Sequence, residues 1–264
     1  MPFTLAHPAA AVPLARLFRE RRGILSALVI GSVLPDATHF VPRVGARAVT
    51  HSLPGLVGVC LPAGVIVFLL YHHFFKAPLG DLLPAAFRWR LASQMAWRPR
   101  RGADVVVAAV GVLLGGLTHV VWDAFTHGDA PGVEAFPVLR EQVGVAGDLQ
   151  LFVYNLLQDG TTLIGFALLV WWIASWYRRA ARGRSAPPRL AWERRTALAL
   201  GMLFVAGLAA VMVAASRWPE PVSLVRLQMF LYRAVIAGAA VVLAEVLVYT
   251  ALWYGRRARG VREP

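Results

Sequence analysis

Long apolar runs, broken at intervals by short polar or basic stretches, set the pattern of this chain. An α-helix rises 1.5 Å per residue, so crossing a hydrocarbon core takes about 20 mostly apolar residues. Runs of that kind occupy roughly 53 to 75, 104 to 126, 161 to 177, 196 to 215 and 232 to 254, with a weaker one over 24 to 41. The pattern predicts an all-α fold, a polytopic membrane helical bundle of six spans. Ahead of the spans, Pro8 suits a first helical position and Gly23 a stop, so a short N-terminal helix of about 15 residues, kinked at Pro13, is expected.

Composition agrees with the periodicity. Of the 264 residues 58% are hydrophobic and only 16% charged, which excludes an ordinary soluble domain. The net charge of +13 raises nucleic acid as a partner, but the positions of the basic residues argue otherwise. Of 27 Lys and Arg, 21 gather in 16 to 22, 76 to 101, 178 to 195 and 256 to 262, while Arg43, Arg47, Arg140, Arg217, Arg226 and Arg233 stand apart. Given the spans, the two groups fall on alternating sides. The positive-inside rule then assigns the rich loops to the cytoplasm. Membrane lipid is the expected partner, nucleic acid is not, and the chain is expected to be multi-pass in the inner (plasma) membrane with its C-terminus cytoplasmic. The first basic residue is Arg16, so the opening lacks a basic n-region and no signal peptide is expected. Trp171, Trp172 and Trp176, beside "YRR", suit an interfacial belt.

The stretch 178 to 195, rich in Arg, Pro and Gly, reads as a cytoplasmic basic linker. It separates a membrane domain over 1 to 177, which holds the candidate chemistry, from a two-helix membrane tail over 196 to 264.

That chemistry is histidine and carboxylate. Cys60 is the only cysteine and lies in a span, and no nucleophile elbow, zincin helix or phosphate-binding glycine loop occurs. In "GLTHVVWDAFTHGD", His119, Asp123 and His127 follow one another at intervals of four, on one helix face over about two turns. Imidazole with carboxylate suits a divalent metal, zinc first, with manganese or iron as alternatives. His119 and Asp123 can ligate one ion, and His127 can serve beside it or at a second ion. The alternative is a hydrogen-bonded pair tying helices together, although ionisable groups in a span usually mark function.

The topology brings the same ends of neighbouring spans level. Asp36 and His39 in "LPDATHF", and His51 and Ser52 in "THSLPG", therefore share the outer side with His119, Asp123 and His127. His72 and His73 fall on the opposite side and act as a control. His7 joins the outer group if the N-terminal helix dips obliquely through the bilayer. His39 and His127 suit a polar interface as well as a ligand role, and Ser52 suits helix capping as well as a hydrogen bond to a ligand. Gln158 and Asp159 open the span 161 to 177 on that side, with a helix-start role or a site role. Glu245, alone in "VLAEVLVY", suits helix-to-helix hydrogen bonding.

In order, "MPFTLAHPAAAVPL", "GSVLPDATHF", "THSLPG", "GLTHVVWDAFTHGD" and "YNLLQDGTTLIGF" resemble the domain-of-unknown-function 4184 membrane family over roughly residues 1 to 175. More distantly they resemble YdjM-type inner-membrane metal-dependent hydrolases and zinc-dependent phospholipase C-like proteins. The resemblance implies a metal site carried by His7, Asp36, His51, His119 and Asp123. One departure is Asp159, which stands where the family pattern has a His. Two functions follow. The first is a membrane-embedded metal-dependent hydrolase acting at the outer interface, on lipid or lipid-linked phosphate or acyl groups, with a carboxylate not committed to the metal, Asp159 or Asp36, as general base. The second is a non-enzymatic multi-pass protein that uses the His/Asp site for transport, sensing or structure.

Overall fold

The computed structural model describes residues 4–18, 20–40, 47–183, 191–216 and 223–259. Among these, five helices are long and apolar enough to cross a membrane: Leu53–Leu82, Gly102–Thr126, Val153–Arg179, Trp192–Ala215 and Leu224–Ala258. They turn large apolar side chains outward, Leu163, Val170, Leu203 and Phe204 among them. Such a surface is solvated by hydrocarbon, and a helix meets that solvent with its backbone bonds satisfied internally. The expected bundle is therefore present. The weaker sixth run is a shorter apolar helix over Ile24–His39.

In chain order the elements are α1 (Pro8–Ala11), α2 (Ile24–Val33), α3 (Arg47–Thr50), α4 (Leu53–Leu82), α5 (Ala85–Arg90), α6 (Ala92–Ala96), α7 (Gly102–Thr126), α8 (Pro131–Ala135), strands β1 (Gln142–Ala146) and β2 (Leu149–Phe152), α9 (Val153–Arg179), α10 (Trp192–Ala215) and α11 (Leu224–Ala258). The chain divides into two compact units, one of residues 1–69 with 99–179 and the other of 70–98 with 180–264.

In the first unit α2 lies directly against α7. A Cβ at Gly115 would run into the carbonyl oxygen of Leu28, and one at Gly31 into that of Val112. Only at such positions can two helix backbones touch, which is the way helices associate where the hydrophobic effect between them is absent. Leu34–His39 continues α2 as a tighter 3-10 turn with Pro35 in its first turn. This closes the helix and turns Asp36 inward.

Three expectations need correction. The N-terminal helix is not one kinked rod: the α-helix stops at Ala11 and Val12–Phe18 winds as a 3-10 helix, because Pro13 has no N–H to give. Gly23 does not end that helix. It sits at φ 85° as the residue that opens α2, a conformation for which glycine is suited. The span expected from 161 begins at Val153, two turns earlier, so Gln158 and Asp159 lie inside α9. A small hairpin also interrupts the helices: β1 and β2 pair antiparallel, Ala146 opposite Leu149, across the two-residue turn Gly147 and Asp148.

The second unit holds buried polar groups of its own. Pro78 cannot donate to the carbonyl of Phe74, and the hydroxyl of Tyr254 on α11 donates to it at 3.2 Å instead. Lys76 is buried and donates to Nδ1 of His72 at 3.1 Å and to the carbonyls of Gln94 and Trp97. Arg98 donates to the carbonyls of His72 and His73. Asp81 accepts from Arg88 at 2.6 Å and from the indole of Trp253 at 2.7 Å.

Candidate metal centre

The donors at the centre arrive by separate local routes, His119 and Asp123 sharing one. Asp36 comes from the turn that closes α2, and His51 from the end of the single turn α3, just before α4. His119 and Asp123 come from one face of α7, which ends at Thr126, and His7 from the residue before α1. The chain segments are remote from one another, yet one ligand atom from each of Asp36, His51, His119 and Asp123 lies within 4.8 Å of every other.

The pairwise distances are consistent with a single point between them. His51 Nε2 lies 3.2 Å from His119 Nε2, 3.2 Å from Asp123 Oδ2 and 3.4 Å from Asp36 Oδ1. His119 Nε2 lies 3.5 Å from Asp123 Oδ2 and 3.7 Å from Asp36 Oδ1. An ion bound tetrahedrally by bonds near 2.1 Å spaces its ligands about 3.4 Å apart.

The far sides of the rings decide what the near sides offer. Nδ1 of His119 meets the Ser32 carbonyl at 2.7 Å, and Nδ1 of His51 meets the Arg47 carbonyl at 3.0 Å. A carbonyl accepts only, so both Nδ1 atoms carry hydrogen and both Nε2 atoms of the neutral rings present lone pairs. Two lone pairs 3.2 Å apart beside two carboxylates repel one another unless a cation lies among them. Such outer partners also fix ligand orientation in metal sites. Without an ion, a proton takes that place at His51: burial opposes its charge, but Asp123 and Asp36 outweigh burial and raise its pKa. The Ser32 contact depends on the close approach of α2 to α7, since Gly115 stands one turn before His119.

The carboxylates are held as well. Thr4 Oγ1 donates to Asp36 Oδ2 at 2.6 Å, which leaves Oδ1 toward the group. Arg47 donates to Asp123 Oδ2 at 2.7 Å. The other oxygen, Asp123 Oδ1, is buried without a hydrogen-bond partner, and so are both ring nitrogens of His7. His7 Nε2 lies 3.4 Å from that oxygen, and its ring stacks on His119 with centroids 3.9 Å apart. Unpartnered buried atoms of this kind, all of them donors to metal, fit a cation better than a closed hydrogen-bond network.

Around this core, His39 Nε2 lies 3.7 Å from Asp36 Oδ1 and His127 Nδ1 3.6 Å from Asp123 Oδ2. His127 sits just beyond α7 in extended backbone, and burial lowers its pKa. Ser52 caps α4, its hydroxyl oxygen accepting from the Gly55 N–H at 3.1 Å. Gln158 is buried, whereas Asp159, the next residue, is exposed and outside the four-donor group. His72 and His73 belong to the other unit. Sequence reasoning passed over Arg47 and Thr4. Arg47 was visible as one of the few basic residues outside the rich loops, but nothing in the sequence tied it to Asp123.

The profile of the family described as Domain of unknown function (DUF4184) matches residues 1–251. The chain belongs to this family. The match runs well past residue 175 and takes in most of the C-terminal pair of helices, so α10 and α11 are part of what the family shares. No curated protein and no solved structure matches the chain.

Proposed function

We propose that this member of the DUF4184 family is a membrane-embedded, metal-dependent hydrolase working where the bundle meets the outer aqueous phase. One observation carries the reading: four donors from three chain segments stand at ligand-to-ligand spacing, with both imidazoles fixed to present Nε2. A divalent ion held by Asp36, His51, His119 and Asp123, zinc by its donor set, supplies Lewis acidity, acidifying water and polarising a phosphoryl or acyl oxygen.

The chain's own groups divide the remaining work. Asp36 and Asp123 offset the ion's charge. Of the two carboxylates expected as general base, Asp159 lies outside the group and Asp36 faces it with Oδ1 while Oδ2 accepts from Thr4, so neither serves as the base. His39, whose Nε2 lies 3.7 Å from Asp36 Oδ1, takes the proton from an attacking water and returns it to the leaving oxygen. Thr4 keeps Asp36 in orientation throughout.

A second reading has its own support. Four protein donors also make a closed, structural site, and His119, Asp123 and Asp36 are all buried. Cobalt substitution separates the two. The hydrolase requires stoichiometric cobalt in detergent-purified protein and a visible spectrum that changes when inorganic phosphate is added. A loaded protein with a phosphate-insensitive spectrum leaves the structural reading standing, and a protein that takes up no ion under metal-replete conditions defeats both.

A further inference from the structure

Two features of the first unit lie outside the ligand set: a guanidinium beside the centre and an apolar groove next to it. Arg47 donates to Asp123 Oδ2, the same oxygen that faces His51 and His119. Its side chain is 30% exposed, so it reaches from the buried donors toward the surface. The charged side chains in mutual reach here are Asp36, Asp123 and Arg47. With a divalent ion among them and the imidazoles neutral they sum to a single positive charge. A neutral ester leaves that charge unmatched in a low-dielectric surround, whereas a monoanion cancels it. Guanidinium also matches phosphate oxygens in geometry.

The groove holds about 480 Å³ between α1, α7 and α9. Thr118, Trp122, Phe125 and Thr126 form one wall, and Leu157, Ile164 and Leu168 the opposite one. It begins beside the centre: Trp122 and Thr126 flank Asp123 on α7, and the Trp122 ring packs edge-on to His7 with centroids 5.2 Å apart. Thr161 accepts from the Trp122 indole at 3.1 Å, and the hydroxyls of Thr118 and Thr126 donate to the carbonyls of Gly115 and Trp122, so the polar groups of that wall are satisfied within the fold. Two of the helices that bound the groove, α7 and α9, are long and apolar enough to cross a membrane, which suits it to a hydrocarbon chain.

We infer that the substrate is a lipid phosphodiester, its singly charged phosphate held between the metal centre and Arg47 and its acyl chain laid in the groove along Trp122 and Ile164. The inference rests on the hydrolase reading above and narrows it from phosphate or acyl groups in general to one charge class with one apolar tail. Arg47 then serves to position substrate, and the groove sets the preference for a tailed over a soluble diester.

Binding tests this without turnover. The full chain, purified in detergent and loaded with zinc, is titrated with dihexanoyl phosphatidylglycerol, with dihexanoylglycerol and with dimethyl phosphate, the zinc content of each sample being measured first. The expected order places dihexanoyl phosphatidylglycerol at least about tenfold tighter than either of the others, the scale of one charge-assisted hydrogen bond. Arg47→Gln removes the margin over dihexanoylglycerol while zinc stays bound. Ile164→Trp, which fills the groove, brings the lipid down to the level of dimethyl phosphate and leaves dimethyl phosphate unchanged. Equal binding of the diester lipid and the neutral diglyceride, or a wild-type preference in Arg47→Gln, overturns the inference. Dimethyl phosphate binding as tightly as the lipid assigns the site to soluble diesters and overturns it too. Failure of the wild type to hold zinc defeats the reading beneath it instead.

Discussion

His119 and His72 look alike along the chain, each an imidazole in an apolar helix that also carries an ionisable residue four positions on, and both are buried. Their surroundings are opposite. His119 gives its Nδ1 hydrogen to a main-chain carbonyl and turns a lone pair toward two carboxylates and a second imidazole. His72 has its Nδ1 engaged by the Lys76 ammonium, with Arg98 on its own carbonyl. One environment is short of positive charge and the other already contains it. A buried histidine thus says little by itself about metal; the sign of what stands at i+4 says more.

The sharpest way to break this contrast is to remove a donor. His119→Ala and Asp123→Ala should each lower metal affinity more than about 100-fold, read as metal per chain after dialysis, while His72→Ala keeps the wild-type content. Metal loss in His72→Ala equal to that in His119→Ala would erase the distinction. Next in size is the closed network of the second unit. Asp81→Asn, which leaves the Arg88 guanidinium without its carboxylate, should cost on the order of 3 kcal/mol, seen as a lowered unfolding midpoint in detergent with metal content unchanged. A smaller effect is expected of Gly115→Ala. The added methyl pushes α2 from α7 and draws the Ser32 carbonyl off His119, for about a tenfold loss of metal affinity with the ligands themselves intact. Asp159→Asn should be smallest of all, with metal content and midpoint at wild-type values.

Much of this was readable beforehand, for identifiable reasons. The spans follow from length and hydropathy alone, and positive charge in alternate loops put Asp36, His51, His119 and Asp123 at one end of the bundle, where the structure brings them together. The i, i+4 spacing on α7 fixed the faces of His119 and Asp123, because helix geometry leaves no freedom there. What escaped has local causes. Pro13 favoured a tighter winding over a kink, and the start of α9 was hidden because Tyr154, Asn155 and Gln158 depress hydropathy without preventing helix. The hairpin carried its own signal in Gly147 and Asp148, set between short alternating segments, and the helical periodicity of the flanks drew attention from it. Arg47 could not be placed by periodicity, since it stands on a single turn between longer elements.

The carbonyls that aim the two imidazoles belong to Ser32 and Arg47, and carbonyls are common to every residue type. Ser32→Ala should therefore keep His119 pointing as it does, and drift at position 32 among relatives would not disturb the centre. The durable trace of that anchor is the absence of a side chain one turn before His119. Comparisons that score only ligands would pass over it, and a gap-sized residue there is as much a signature of the centre as the histidine it serves.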